Sequence, residues 1–205
     1  MDQLKTGTTT VGVVYKDGVV LAADKRVSAG SLVINRTIEK VLRLSERAGV
    51  TTAGSVADVQ AIIRIMKAEI SLHEVRSGSK MNIQSIAGLF STLMFNNRMA
   101  FIESAFILGG FDTKPSLFIL DTFGSQIADN FTSIGSGSII AFGVLETGYK
   151  ENMTEEEAVK LAHKAVSTSI KRDVFTGEGV DVAIINKKGY KKLPEQEIKK
   201  IIAAE

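Results

Sequence analysis

The stretch Gly7-Thr8-Thr9-Thr10-Val11-Gly12 places three consecutive threonines directly after a glycine, near the start of the sequence. Threonine and valine favour extended backbone, so the stretch predicts the beginning of a β-strand rather than a linker. A cut after Gly7 would make Thr8 the N-terminal residue, with a hydroxyl nucleophile and a free α-amine on one amino acid. Ordinary edge strands also favour consecutive threonines, so other residues must decide between the two interpretations.

A β-hairpin is predicted to begin within this stretch. Its strands run from Thr8 to Tyr15 and from Val19 to Asp24, and the turn sequence Lys16-Asp17-Gly18 separates them. A second hairpin is predicted from Lys40 to Leu44 and from Gly49 to Thr52. Later strands are predicted at Ser104 to Gly109, Ser116 to Thr122, Phe131 to Ile134, Val180 to Ile185 and Tyr190 to Leu193.

Helices are predicted from hydrophobic spacing and from capping residues. The first begins after Ala53-Gly54-Ser55, and Asn82 can cap the second. Thr154 and Glu157 form a capping box before a third helix, and Pro194 can occupy the first turn of a C-terminal one. The apolar face of the first helix comprises Val56, Val59, Ile63, Met66 and Ile70, at alternating steps of three and four residues.

The order of these elements predicts the fold class. Strands are followed by two helices, then by strands, a helix, strands and a final helix, which does not match the strict alternation of a parallel sheet. We therefore expect an α+β fold, a four-layer αββα sandwich of two antiparallel sheets flanked by helices. No repeat or linker interrupts the sequence, so residues 8–205 are expected to form a single domain after a short leader at residues 1–7.

Composition excludes several classes of protein. With 205 residues and 44% hydrophobic content, the chain can bury a full-sized core. A net charge of +2 gives no reason to expect nucleic-acid binding. The chain contains no cysteine, no stretch long enough to span a membrane and no secretory signal, so we expect a soluble, cytoplasmic protein without a membrane partner.

Imidazole and metal chemistry are not expected. The two histidines, His73 and His163, both lie in helical patterns without carboxylates at metal-ligand spacing. A Ser-His-Asp hydrolase is disfavoured because no Gly-x-Ser-x-Gly turn precedes a later histidine. We expect neither a metal nor a cofactor, and an enzyme built on this sequence would use an amine as its base.

Asp24 and Lys40 stand at predicted strand ends, and the spacing from Thr8 to Asp24 equals the spacing from Asp24 to Lys40. If their strands lie beside the first strand, an Asp24–Lys40 ion pair beneath Thr8 would favour the alkoxide-like form of its hydroxyl. The alternative is an ordinary surface salt bridge, which contributes under about 1 kcal/mol.

Three further residues occupy turns where a catalytic and a structural role are both consistent with the sequence. Gly54 precedes a helix, where its N–H can bind an oxyanion or where glycine simply permits the turn. Ser136 lies between two glycines and Asp173 follows a helix, and the structural alternatives are a helix cap and a helix-ending residue.

Together these residues resemble one family: the β subunit of the proteasome core particle, in its archaeal form, among the N-terminal nucleophile hydrolases. The resemblance extends from Thr8 to about Leu193 and includes several motifs in the family's order. They are Gly7 to Gly12, Ala23 to Val27, Lys40, Ala53 to Gln60, Ile134 to Ser138 and Arg172 to Val182.

The resemblance implies a threonine endopeptidase with a role for each matching residue. Thr8 would be the nucleophile and, once its amine is freed by autocatalytic cleavage after Gly7, the base. Asp24 and Lys40 would tune the reactivity of Thr8, and the Gly54 N–H would hold the oxyanion. The remaining implied catalytic residues, which would surround the amine, are Ser136, Asp173 and Thr176. Thr176 is a departure, because the family often carries serine there, and its extra methyl leaves the local geometry open.

The resemblance also implies a substrate pocket and an assembly. The pocket would prefer hydrophobic residues before the cut bond. Proteasome α subunits and other β subunits would form seven-membered rings stacked α-β-β-α, which degrade unfolded proteins delivered by a regulatory ATPase. The helix pair from Val56 to Arg76 and from Asn82 to Arg98 is a candidate for ring contact. The implied pocket residues are Val27, Ile38, Leu42, Thr52 and Val56.

Other interpretations are weighed against this one. Some β subunits keep the fold without processing and serve only ring assembly, although such subunits typically lose a catalytic residue that this chain retains. An α-type subunit is disfavoured because no helix is predicted before the first strand, and the simpler bacterial two-part relative is shorter. A nucleotide site at Gly135-Ser136-Gly137 lacks the lysine and the full glycine-rich loop that phosphate binding needs.

Overall fold

A computed structural model describes residues 7–100 and 103–204. One five-stranded antiparallel sheet consists of β1 (Thr10–Tyr15), β2 (Gly18–Asp24), β10 (Phe131–Ile134), β11 (Val180–Asn186) and β12 (Gly189–Lys192). The strands of this sheet have the order β10-β1-β2-β11-β12. β1 and β2 form the predicted first hairpin, with Gly12 paired to Leu21.

A second five-stranded antiparallel sheet faces the first and has the order β5-β6-β7-β8-β9. A separate two-stranded hairpin, β3 (Val27–Ala29) and β4 (Leu32–Asn35), connects the two sheets along the chain. The second sheet consists of β5 (Val41–Arg43), β6 (Ala48–Gly54), β7 (Ser104–Phe111), β8 (Pro115–Leu120) and β9 (Gln126–Ala128).

Helices cover the outer face of each sheet. α1 (Val56–Ser77) and α2 (Ile83–Asn96) pack on the second sheet, and a short 3-10 turn (Arg98–Ala100) follows them. The first sheet is covered by α3 (Ser138–Gly148) and α4 (Glu155–Ile170), and α5 (Glu195–Ala203) packs against α4. The expected α+β sandwich of four layers is confirmed.

β2 shows how the sequence specifies this stacking. All seven of its residues are buried. Val20 and Ala22 face α4, whereas Val19, Leu21 and Ala23 face the second sheet, as the two-residue period of a strand requires. A strand that is covered on both faces therefore appears as a continuous apolar run.

The structure adds three elements that the sequence did not predict: α3, the β3–β4 hairpin and the edge strand β9. It also corrects the structural alternative for Ser136, because the residue that caps α3 is Gly137 and no side chain caps this helix end. Within the described ranges, no helix is long and apolar enough to cross a membrane.

Candidate active site

Thr8 is buried and lies two residues before the start of β1. Its Oγ1 accepts a hydrogen bond from Lys40 Nζ at 2.9 Å and donates one to the Gly7 carbonyl oxygen at 2.7 Å. The hydroxyl is thus bound both to a cation and to the carbonyl group that it would attack in a self-cleavage.

Asp24, at the end of β2, is the fully buried anion of the site. Its Oδ1 accepts from Lys40 Nζ at 2.8 Å and from the Thr9 N–H at 3.1 Å. Its Oδ2 accepts from the N–H groups of Arg26 and Gly177, at 3.1 and 3.0 Å. The expected ion pair beneath Thr8 is therefore present, and it is a buried pair rather than the surface salt bridge of the alternative interpretation.

Lys40 precedes β5, and only 6% of its side chain is exposed. Burial lowers the pKa of its ammonium, and the charge of Asp24 and the hydrogen bond to it oppose that effect. An ammonium with a lowered pKa releases its proton more readily than an exposed lysine. It can both stabilise negative charge on Thr8 Oγ1 and take part in proton transfer.

Ser136 contacts the backbone of Thr8, and Asp173 contacts Ser136. The Thr8 N–H donates to Ser136 Oγ at 3.1 Å, and this hydroxyl donates to Asp173 Oδ2 at 2.5 Å. Since Gly7 is still attached, the Thr8 nitrogen is an amide here. The same contacts would surround an α-amine after cleavage.

Thr176 completes this side of the site. Its hydroxyl donates to Asp173 Oδ2 and lies 2.8 Å from Thr9 Oγ1, so the Thr9 hydroxyl is the donor between the two threonines. The side chain is almost completely buried. Threonine thus retains hydrogen bonding that a serine hydroxyl would provide.

Gly54 ends β6, and its φ of +119° lies in a region that L side chains rarely adopt. A Cβ at this position would lie 1.9 Å from the Glu103 carbonyl oxygen. Glycine is therefore required by the turn itself, whether or not its N–H also binds an oxyanion. Gly54 lines the same cleft as Thr8.

That cleft, with a volume of about 350 Å³, contains every pocket residue that the resemblance implies. Gly7 also lines it, and the rest of the expected leader lies outside the described residues. The pocket is less uniformly apolar than expected, because its lining also includes Arg26, Glu39, Gln60 and Arg64. Val59 and Ile63 add further apolar surface.

Part of this additional lining had a signal in the sequence. Gln60 and Arg64 follow Val56 at successive four-residue steps of α1, so all three share one helix face. Extending the face from Val56 would have added both residues to the predicted pocket.

Comparison with known proteins identifies the family. A model of the family described as "Proteasome subunit" matches residues 4–185. The chain belongs to the proteasome subunit family. Among its curated relatives, "Proteasome subunit beta 1" of Thermococcus onnurineus is 40% identical over 196 residues, which cover 96% of this chain and 97% of the relative.

Two further relatives are similar over most of their length. "Proteasome subunit beta" of Methanopyrus kandleri is 42% identical over 207 residues, covering 99% of each protein. "Proteasome subunit beta 2" of Aeropyrum pernix is 41% identical over 187 residues, covering 91% of this chain and 85% of the relative. The resemblance found in the motifs is confirmed at the level of the β subunits of the proteasome family.

Proteasome subunits assemble into a multi-subunit complex, so part of the surface described here belongs to interfaces with other subunits. Among the residues that the structure describes, no group of three or more histidine or carboxylate side chains is arranged to hold a metal ion.

Proposed function

We propose that this proteasome β subunit is a threonine endopeptidase whose nucleophile is Thr8. The observation that carries the proposal is the position of Lys40 Nζ, 2.9 Å from Thr8 Oγ1 and 2.8 Å from the buried Asp24 carboxylate. A lysine in an ordinary surface salt bridge would keep its ammonium in water, whereas the Lys40 ammonium is buried against the Thr8 hydroxyl. Desolvation makes its charge more effective at stabilising a developing alkoxide.

Maturation is proposed to remove residues 1–7 by self-cleavage. Thr8 Oγ1 attacks the Gly7 carbonyl carbon and gives up its proton, while the Thr8 nitrogen leaves the same carbon and takes up a proton. The product is an ester between Gly7 and Thr8 Oγ1 with a free amine. Water then hydrolyses the ester and releases the Gly7 carboxylate.

Substrate hydrolysis would repeat this chemistry on a bound peptide. The freed Thr8 amine accepts the hydroxyl proton while Oγ1 attacks the carbonyl carbon, and the Gly54 N–H stabilises the oxyanion. The leaving amine takes the proton, and water resolves the ester. Ser136, Asp173 and Thr176 hold the amine and its proton in place through the hydrogen bonds described above.

The cleft supports a preference for hydrophobic residues before the cut bond. Val27, Ile38, Leu42 and Val56 offer apolar surface, and Thr52 adds a small uncharged side chain at the strand end. We propose that the peptide lies along this cleft, in the place that Gly7 begins to occupy.

Family membership supports the proposed setting of this activity. The subunit would act in the cytoplasm in seven-membered rings with proteasome α subunits and other β subunits, stacked α-β-β-α. Unfolded proteins would enter with the help of a regulatory ATPase. The subunit's mature form would be residues 8–205, a single domain.

The test compares two isosteric variants, Thr8→Val and Thr10→Val, in assembled particles. Thr10 is buried in β1, and its hydroxyl makes no hydrogen bond within the described chain. We expect intact-mass measurement to show the full-length chain for Thr8→Val and residues 8–205 for wild type and Thr10→Val. Peptide hydrolysis should be lost only in Thr8→Val.

Two results would contradict the proposal. Trimming of Thr8→Val at Gly7, with no other active subunit in the particle, would exclude self-cleavage. A wild-type subunit that stays full-length in the assembled particle and hydrolyses no peptide would instead indicate the structural, assembly-only β subunit.

A further inference from the structure

Glu178 adopts a backbone conformation that is costly for its side chain. Its φ is +68°, although it is flanked by two glycines, Gly177 and Gly179, that could take such a conformation without penalty. Among the described residues, Asn152 is the only other non-glycine residue with a positive φ, and asparagine tolerates this region better than glutamate. Strained backbone of this kind occurs frequently at functional sites, so the Glu178 side chain is a candidate for a functional role.

The Glu178 carboxylate joins two arginines. Its Oε1 accepts from Arg26 Nη2 at 3.1 Å and lies 3.5 Å from Arg36 Nη1. Arg26 directly precedes β3 and Arg36 directly follows β4, so the two cations come from the two ends of one hairpin. Glu178 therefore contacts both ends of this hairpin, more closely at the partly buried Arg26 than at the exposed Arg36.

Arg26 also contacts the backbone of the segment that carries Glu178. Its Nη1 donates to the Val174 carbonyl oxygen at 2.9 Å. Its guanidinium packs on Gly177, where an added Cβ would lie 2.3 Å from Arg26 Cζ. The Gly177 N–H in turn donates to Asp24 at 3.0 Å.

Residues 173–179 carry two members of the network around Thr8. Asp173 and Thr176 are hydrogen-bonded to each other, and Asp173 accepts from Ser136, which contacts the Thr8 nitrogen. On the other side, Val27 at the base of the hairpin lines the cleft. The contacts of Arg26 and Glu178 thus connect the cleft wall to the hydrogen bonds that surround the Thr8 nitrogen.

We propose that Arg26 and Glu178 are positioning residues, which fix the segment 173–179 against the β3–β4 hairpin so that Asp173 and Thr176 are held in register with Thr8. This inference rests on the proposed peptidase function. It predicts an effect on kcat in particular, because Asp173 acts on the Thr8 nitrogen through Ser136 and does not itself line the cleft. Small displacements of such groups reduce rates strongly.

The decisive variant is Glu178→Gly, assembled into particles and compared with wild type. Glycine removes both the carboxylate and the backbone strain, so the variant should unfold at no lower temperature than wild type. We nevertheless expect kcat to fall about tenfold, equivalent to ~1.4 kcal/mol, while KM stays within about twofold of wild type. A residue with only a structural role would leave kcat unchanged in a stable variant.

Two further variants separate charge, strain and contact. Glu178→Gln keeps the strained backbone without the negative charge, and it should show the same loss of kcat. Gly177→Ala keeps both Arg26 and Glu178 in the sequence, but the added Cβ would displace the Arg26 guanidinium. We therefore expect kcat to fall again. The matched control is Asn152→Gly, which relieves the same kind of strain away from Thr8 and should retain wild-type kcat.

Hydrogen exchange of residues 171–180 provides a readout that does not depend on catalysis. We expect faster exchange at Gly177 in Glu178→Gly, because the Gly177 N–H relies on its position over Asp24. Wild-type kcat in Glu178→Gly overturns the inference, whatever the exchange rate, and so does unchanged exchange. Failure of the proposed function is a separate result, since it would appear as wild-type particles without hydrolysis that depends on Thr8.

Discussion

Asp24→Asn tests how far the site depends on one buried carboxylate. The two Asp24 oxygens face donors only: Lys40 Nζ and the Thr9 N–H on one side, and the N–H groups of Arg26 and Gly177 on the other. An asparagine amide has one oxygen and one NH₂ group. Whichever way it is oriented, its NH₂ group meets donors and leaves them without an acceptor.

The expected loss of stability in Asp24→Asn follows from the burial of the Asp24–Lys40 ion pair. Removing one partner from a buried ion pair costs about 3–5 kcal/mol, because the remaining charge is left uncompensated. For a chain of this size, about 2–4 °C in unfolding temperature corresponds to each kcal/mol, so we expect a decrease of roughly 6–20 °C. Peptide hydrolysis should also be lost, since Lys40 no longer has a fixed position below Thr8.

The matched control is Asp181→Asn. Asp181 also pairs with two lysines, Lys25 at 3.2 Å and Lys192 at 3.1 Å, but these partners are partly exposed. Such pairs contribute about 0–1 kcal/mol each. Thermal and urea unfolding of the full chains, followed by circular dichroism, should separate the two variants clearly. Equal destabilisation of Asp24→Asn and Asp181→Asn would refute the reasoning.

Four other substitutions, at three positions, give distinct expectations. Lys40→Arg should abolish peptide hydrolysis while circular dichroism shows an intact fold, because a planar guanidinium cannot replace a compact ammonium between Thr8 and Asp24, and near-normal turnover would exclude the proposed role. Gly54→Ala should lower the unfolding temperature, since its Cβ would lie 1.9 Å from a carbonyl oxygen and its φ is +119°, and an unchanged temperature would contradict this strain argument. Thr176→Ser should keep initial rates within about twofold, whereas Thr176→Val, which cannot bond Asp173, should lose about tenfold or more, and equal rates would show that this hydroxyl is dispensable.

Elements with local signals were predictable from the sequence. The turn Lys16-Asp17-Gly18 specifies the first hairpin, and the capping box of Thr154 and Glu157 is present at the start of α4. α3 has no comparable signal. It begins at a glycine without a side-chain cap, is apolar on most of its surface and buries only Ala141 and Leu145, so its sequence shows no clear helical period. Packing against α4 stabilises this helix.

The β3–β4 hairpin was missed for a related reason. Its strands have three and four residues, and Leu32 and Ile34 are exposed rather than alternating between a core and solvent. Strands of this kind carry too little pattern to be recognised from the sequence. The arginines at the hairpin ends were consequently not recognised as partners of Glu178.

The candidate site shows the same division between local and distant signals. Asp24 and Lys40 could be placed near Thr8 because both stand at the ends of predicted strands. The contact of Ser136 with Asp173 has no such signal, because it depends on the packing of α3 against α4. Both residues were noted in turns, but their role around the Thr8 amine was predicted through the resemblance to a family and not from their spacing.

The position of β2 between β1 and β11 determines when this site can exist during synthesis of the chain. β2 can pair with β1 once both have left the ribosome, but its other neighbour is Val180–Asn186, much later in the sequence. Pairing between such distant segments is slow, and it cannot begin until the later segment has been translated. A nascent chain therefore contains Thr8 well before the residues that would activate it are in place, so under the proposed self-cleavage the order of translation delays removal of the leader.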